Sequence, residues 1–215
     1  EESEIGSLLF DGGALSFGDN ESLTLTVNSL GAKRGGTINV ADSEKISAQT
    51  TGSIIDMSNT AFTHDLIISK TDVNESLLDK FTVNVNGQNI QDTPSQIHNL
   101  KNSGSDLSVA KGTYNYNLSE KNNDKNGLFI GYELSDIELL EASKGNNALV
   151  ISNEDSIHNN LNATITGKGD LILRAKGDGD ASILLEKESH YTGNTTVTGG
   201  TVKAAADNIF GTEGD

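Results

Sequence analysis

The 215-residue chain contains no cysteine, no tryptophan and one proline, and only 5% of it is aromatic. Without cysteine there is no disulfide framework, no thiolate zinc site and no cysteine nucleophile. Positive charge is also scarce: 15 Lys and Arg stand against 31 Asp and Glu, a formal net charge of −16. A chain so acidic repels a polyanion, which excludes nucleic acid as an expected partner. No apolar run approaches the roughly 18 residues that span a bilayer as a helix. Glu1-Glu2-Ser3-Glu4 does not read as a signal peptide, so the expectation is a cytosolic chain or a mature piece cut from something larger.

What is present is glycine, 23 residues of it, and small apolar side chains at ordered spacing. Sustained apolar spacing at three and four residues is missing, so long amphipathic helices are not expected. Alternation of period two recurs instead, in Leu23-Thr24-Leu25-Thr26-Val27, Phe81-Thr82-Val83-Asn84-Val85 and Leu161-Asn162-Ala163-Thr164-Ile165. Each puts apolar groups on one face and Thr or Asn on the other, as in a half-buried strand. Turn signals follow at intervals, among them Asp11-Gly12-Gly13, Gly35-Gly36, Asn86-Gly87 and Gly199-Gly200. Short strands so punctuated suit a sandwich, a barrel or a parallel β-helix. Loose echoes such as Gly-Gly-Thr-Ile at 35–38 and Gly-Gly-Thr-Val at 199–202 favour a solenoid with irregular rungs.

Residues 113–140 stand apart. Tyr114, Tyr116 and Leu118 alternate on one predicted strand, a polar loop runs from Ser119 to Asn126, and Phe129 and Tyr132 place aromatics on the next. The pattern predicts an antiparallel hairpin followed by a third strand. The Asn-, Ser- and Gln-rich stretch 86–105, which holds Pro94, reads as a loop.

The C-terminal third carries a more specific pattern. Ala163 to Leu171 includes Gly167 and Gly169; Tyr191-Thr192-Gly193 leads to Val197, Gly199 and Gly200; Asn208 and Gly211 close the run. Residues 161–211 thereby resemble the passenger-associated repeat of Gram-negative autotransporters, and 127–140 looks like the segment that precedes this repeat in adhesin-type passengers. Ile209-Phe210 departs from the pattern, standing where a smaller apolar pair is usual. The resemblance implies an all-β, right-handed parallel β-helix in two parts. Residues 1–112 would supply passenger rungs, and 113–215 an autochaperone-like segment whose hairpin (Tyr114, Tyr116, Phe129, Tyr132) caps the open side of the rungs. Glycines at corners tolerate φ > 0. Ile165, Leu171, Leu173, Val197 and Val202 would then fill a narrow core, and Tyr191 would cover the core edge with its hydroxyl wet.

The implied function is non-enzymatic: adhesion or self-association at the bacterial cell surface, at the outer membrane or after release, with the C-terminal part promoting passenger folding. Its implied partners are its own passenger and translocator barrel, and a host surface protein, a glycan or a second copy. No cofactor and no metal are expected. His64, His98, His158 and His190 lie far apart in sequence and no Gly-x-Ser-x-Gly elbow occurs. Asp178-Gly179-Asp180 with Glu186 offers hard oxygen ligands at a spacing that matches no calcium loop, and reads as an acidic turn. Two alternatives remain: a polysaccharide-cleaving or other hydrolytic β-helix, which needs a convergent carboxylate pair, and a folding module alone.

Overall fold

A computed structural model describes residues 3–18, 24–40, 55–56, 60–153, 160–175 and 182–205. The chain is a parallel β-solenoid of about six turns. In chain order the strands are β1 (Ser3–Phe10), β2 (Ala14–Phe17), β3 (Leu25–Ala32), β4 (Gly36–Val40), β5 (Ile55–Asp56) and β6 (Ala61–Ser69), then one helical turn α1 (Glu75–Leu78). There follow β7 (Phe81–Val85), β8 (Gln88–Asn89), β9 (Ser95–Lys101), β10 (Ser108–Asn122) and β11 (Lys125–Leu139). After two 3-10 turns come β12 (Leu149–Asn153), β13 (Asn160–Leu161), β14 (Thr164–Gly167), β15 (Leu171–Ala175), β16 (Ser182–Leu185), β17 (His190–Tyr191), β18 (Thr195–Gly199) and β19 (Thr201–Ala204). These fall into two compact units: 1–48, 62–96 and 115–132 form the first, and 49–61, 97–114 and 133–215 the second.

In the first unit β1, β3 and β6 stack in parallel on one face, and β2, β4 and β7 on another. The period-two pattern is what makes this work, because in-register stacking brings like residues together. Leu15 pairs with Ile38 and Ile38 with Val83; Phe17 pairs with Val40 and Val40 with Val85. Ile38, Val83 and Val85 are wholly buried. At a corner the Phe10 and Phe81 rings meet edge to face with centroids 5.0 Å apart, and Phe10 lies where a Cβ on Gly36 would sit. The polar partners form ladders as well: Asn84 donates to Asn39 across 2.9 Å, and Ser29 to Ser7.

The stretch 86–105 is largely structured. Asn86 and Gly87, at φ +54° and +77°, turn β7 into β8, and β9 follows. Its strand character is hidden in the sequence because the buried side chains are partly polar. Gln96 is buried and its amide donates to the Val85 carbonyl at 3.0 Å. The Gln91 side chain likewise replaces a neighbouring strand, accepting from the Val83 N–H at 2.9 Å and donating to the Phe81 carbonyl at 2.8 Å.

The aromatic segment forms the expected hairpin, but longer. β10 and β11 have 15 residues each and turn at Asn123 (φ +57°), so most of the expected loop 119–126 is strand, and the expected third strand is the continuation of β11. Tyr114, Tyr116, Phe129 and Tyr132 are all buried. Burial pushes the Tyr132 phenol up to about 12. β11 is itself a member of the sheet, next to β6 in the first unit and parallel to β14 in the second.

The turn of the hairpin is fastened to β6 through Asp65, which accepts from Asn122 at 2.9 Å and from the Lys125 ammonium at 2.9 Å. Burial alone would raise the Asp65 carboxyl, but these two donors prevail and hold it below its ordinary value of 3.8. A depressed native value stabilises the fold above the unfolded value, and that contribution is lost as pH falls through the native one. Asp65→Asn should therefore lower the melting temperature at pH 7 by the equivalent of about 0.5–1 kcal/mol. The gap to the parent should close in titrated thermal melts as pH drops below 3.8. A gap of constant size down to acid would show that the carboxylate charge contributes nothing.

The second unit is a three-faced helix. The distal stretch of β11 pairs with β14 and β14 with β17; β5, β12, β15 and β18 form the second face; β13, β16 and β19 form the third. Core columns run through it, such as Ile137 on Ile165 and Ile151 on Leu173 on Val197. Asn102, just beyond β9, donates its side-chain amide to the Ala148 carbonyl at 2.8 Å and accepts from the Val150 N–H at 3.0 Å.

Ile165, Leu171 and Leu173 are buried as expected, but Val197 is 48% exposed and Val202 half-buried. The reason is position: β18 has a strand on one side only among the described residues, so Val197 is covered by Leu173 below and by nothing described above.

Candidate functional site

Gly167, Gly169, Tyr191 and Gly193 of the sequence pattern converge on one corner of the second unit. There β11 ends at Leu139, which is paired with Gly167, and Gly167 is paired with Tyr191. Three successive turns of chain, 139–145, 167–170 and 191–194, are therefore stacked on one another. The Lys168 N–H donates to the Leu139 carbonyl at 2.9 Å, and the Thr192 N–H to the Gly167 carbonyl at 3.0 Å.

Side chains are excluded from this column. Gly167, at φ +102°, has the Leu139 backbone where a Cβ would be. A Cβ on Gly169 would overlap the Ser143 hydroxyl and the Leu140 carbonyl, and one on Gly193 would overlap the Gly169 carbonyl. Each glycine thus makes room for the backbone of the turn beneath it. Tyr191 is buried here, not wet at its tip: its hydroxyl is hydrogen-bonded to the Thr195 hydroxyl, and burial is the main reason its phenol is raised above the usual value. A ring filling a thin rung leaves its oxygen inside the corner, where a threonine must satisfy it.

Asp170 was not legible as part of this site. Its Oδ2 accepts the Gly145 N–H at 2.7 Å from the turn below, and its Oδ1 accepts the Asn194 N–H at 2.8 Å from the turn above. One carboxylate thereby spans three rungs. The partner is 24 residues away on one side and 25 on the other, which is the length of a rung. Ser143, fully buried, donates to the Leu140 carbonyl at 2.7 Å and completes the lower turn.

Of the remaining pattern residues, Leu171 is core, Gly199 turns the chain at φ +72°, and Gly200 donates to the Ala175 carbonyl at 2.9 Å. Asn208 and Gly211, with Ile209 and Phe210, lie outside the described residues, as do Asp178, Asp180 and His158. The other histidines are not gathered: His64 is buried in the first unit, whereas His98 and His190 belong to different strands of the second. Among the described residues no three His, Asp or Glu side chains are grouped to hold a metal ion.

A cleft of about 400 Å³ opens in the first unit between α1 and β10. Glu75, Leu78, Asp79, Ile90, Tyr116 and Asn117 are among the residues that line it. No histidine, lysine or arginine is among its described lining residues.

By fold and corner, the chain belongs to the class of parallel β-solenoids. It is similar to a protein of Escherichia coli (strain K12) described as "Uncharacterized protein YuaQ", with 29% identity over 96% of this chain. The chain spans 16% of the length of that relative. No protein-family model and no solved structure matches it.

Proposed function

We propose that this chain is a non-enzymatic part of a Gram-negative autotransporter passenger, acting in adhesion or self-association at the cell surface or after release. In this reading residues 113–215 promote folding of the passenger as it leaves the translocator barrel. The supporting observation is the corner column. Gly167, Gly169, Tyr191 and Gly193, part of the set on which the resemblance rests, stack as one backbone-on-backbone corner. Such a corner admits each new rung only on top of a finished one, which suits folding that advances by templated addition. The partners it takes are the passenger and barrel of its own chain, and on the outside a host surface protein, a glycan or a second copy.

A hydrolytic reading has one foothold, the Glu75 and Asp79 cleft. Both acids come from α1 and its C-cap, whereas glycoside cleavage needs carboxylates that flank the bond from opposite sides.

The test uses the full-length gene product. Antibodies against this chain are expected to label intact cells, and deletion of 113–215 should abolish that labelling while leaving synthesis unchanged. Intact cells that stay unlabelled although the protein is made would overturn the surface assignment. Full labelling after the deletion would overturn the folding role.

A further inference from the structure

β9 is an edge strand: among the described strands its neighbour is β10, and nothing described pairs with its other side. An unpaired edge is a template for another strand, and proteins usually keep one short, bulged or charged. Here the edge is held firmly in place. Leu100 is buried against Gly112, and Asn102 anchors the end of the strand to the Ala148 carbonyl and the Val150 N–H. The Pro94 carbonyl accepts from the Tyr116 N–H of β10. Strand alternation then turns the backbone N–H and C=O of Ile97 and Asn99 to the free side. Ile97 also presents its side chain to solvent, at 68% the most exposed of the large apolar residues described.

Charge singles out the same place. The chain averages one acid per seven residues, yet Thr93 to Ser105 contains none, and Lys101 is its one lysine or arginine. Two copies of a −16 chain repel each other over most approaches. This strand is where they can meet without opposing carboxylates.

We propose that β9 pairs antiparallel with β9 of a second copy, giving a two-fold dimer through continuous sheet. Centred on His98, the pairing sets Ile97 opposite Asn99 twice and Lys101 opposite Ser95 twice, so that the backbone groups of Ile97 and Asn99 are satisfied across the dyad. A self-complementary patch of this kind closes after two copies and does not propagate. The proposal rests on the self-association limb of the function proposed above, and names its surface.

Sedimentation equilibrium of the purified chain at 0.02 and 0.5 M NaCl provides the test. A dimer is expected that tightens with salt, because screening acts on the long-range repulsion and not on the backbone bonds. Ile97→Asp should weaken it by at least about tenfold, a change of one decade in Kd. Asn99→Pro should do the same by removing a free-edge donor at a position where a sheet tolerates proline. Thermal melts check that both variants fold; should Asn99→Pro melt early, Ile97→Asp at unchanged melting temperature carries the result. A monomer at every concentration and salt would overturn both this interface and the self-association limb. A dimer that both variants leave unweakened would overturn the β9 interface alone.

Discussion

Gly169→Ala is expected to unfold the end of the second unit, at a cost of about 4 kcal/mol or more, in the range reserved for forced steric change. The added methyl has nowhere to go, because the Ser143 hydroxyl and the Leu140 carbonyl occupy its place. Ser143 is fully buried and its hydroxyl is bonded to the Leu140 carbonyl, so rotating it away would take a buried hydroxyl from its acceptor. The disturbance should spread upward: the Gly169 carbonyl is where a Cβ on Gly193 would sit, and Asp170 next to it holds both flanking turns. Amide hydrogen exchange gives the readout, with protection expected to disappear at Leu171 to Leu173 and at Asn194. Gly13→Ala is the matched control, since a Cβ there meets nothing within 4 Å, and it should stay within about 0.5 kcal/mol of the parent. Equal stability of the two variants would refute the packed corner.

Leu173→Ala should cost about 3–5 kcal/mol, as for a leucine removed from a closed core. It is wholly buried in the column between Ile151 and Val197, and a rung only one side chain thick cannot collapse to fill the gap. Val197→Ala in the same column should cost about 1 kcal/mol or less, because half of that side chain faces water already. Urea unfolding of the two variants side by side measures the difference. If Val197→Ala proved as costly as Leu173→Ala, the Val197 side chain would have to be covered in solution.

Much of the fold is legible because the solenoid stacks like on like. Phe81, Val83 and Val85 alternate in sequence and are buried in the structure, and Asn86-Gly87 adopts the positive φ pair that its composition announces. The illegible parts are those where polar side chains do the work of a strand. Gln91, Gln96 and Asn102 read as loop residues, yet each occupies backbone groups that a neighbouring rung would otherwise fill. Asp170 stands beside the corner glycines in the sequence, but its role depends on partners a full rung away in both directions, which no local pattern contains. Val197 shows the converse error: its alternation is right and its column is right, while its exposure depends on whether another rung lies above it.

The Asn39–Asn84 ladder has a consequence for how such a chain changes over time. Asn39 and Asn84 are 45 residues apart, whereas Arg34 and Asp11, a pair one turn earlier, are 23 apart. The strands around them keep unbroken register all the same. Doubling the length of a connection costs only about 0.6 kcal/mol of closure entropy, less than a single buried methyl group returns. Excursions between rungs are therefore nearly free for this architecture. New surface, such as the cleft beside α1, can be added or exchanged at a corner while the stack beneath it stays the same.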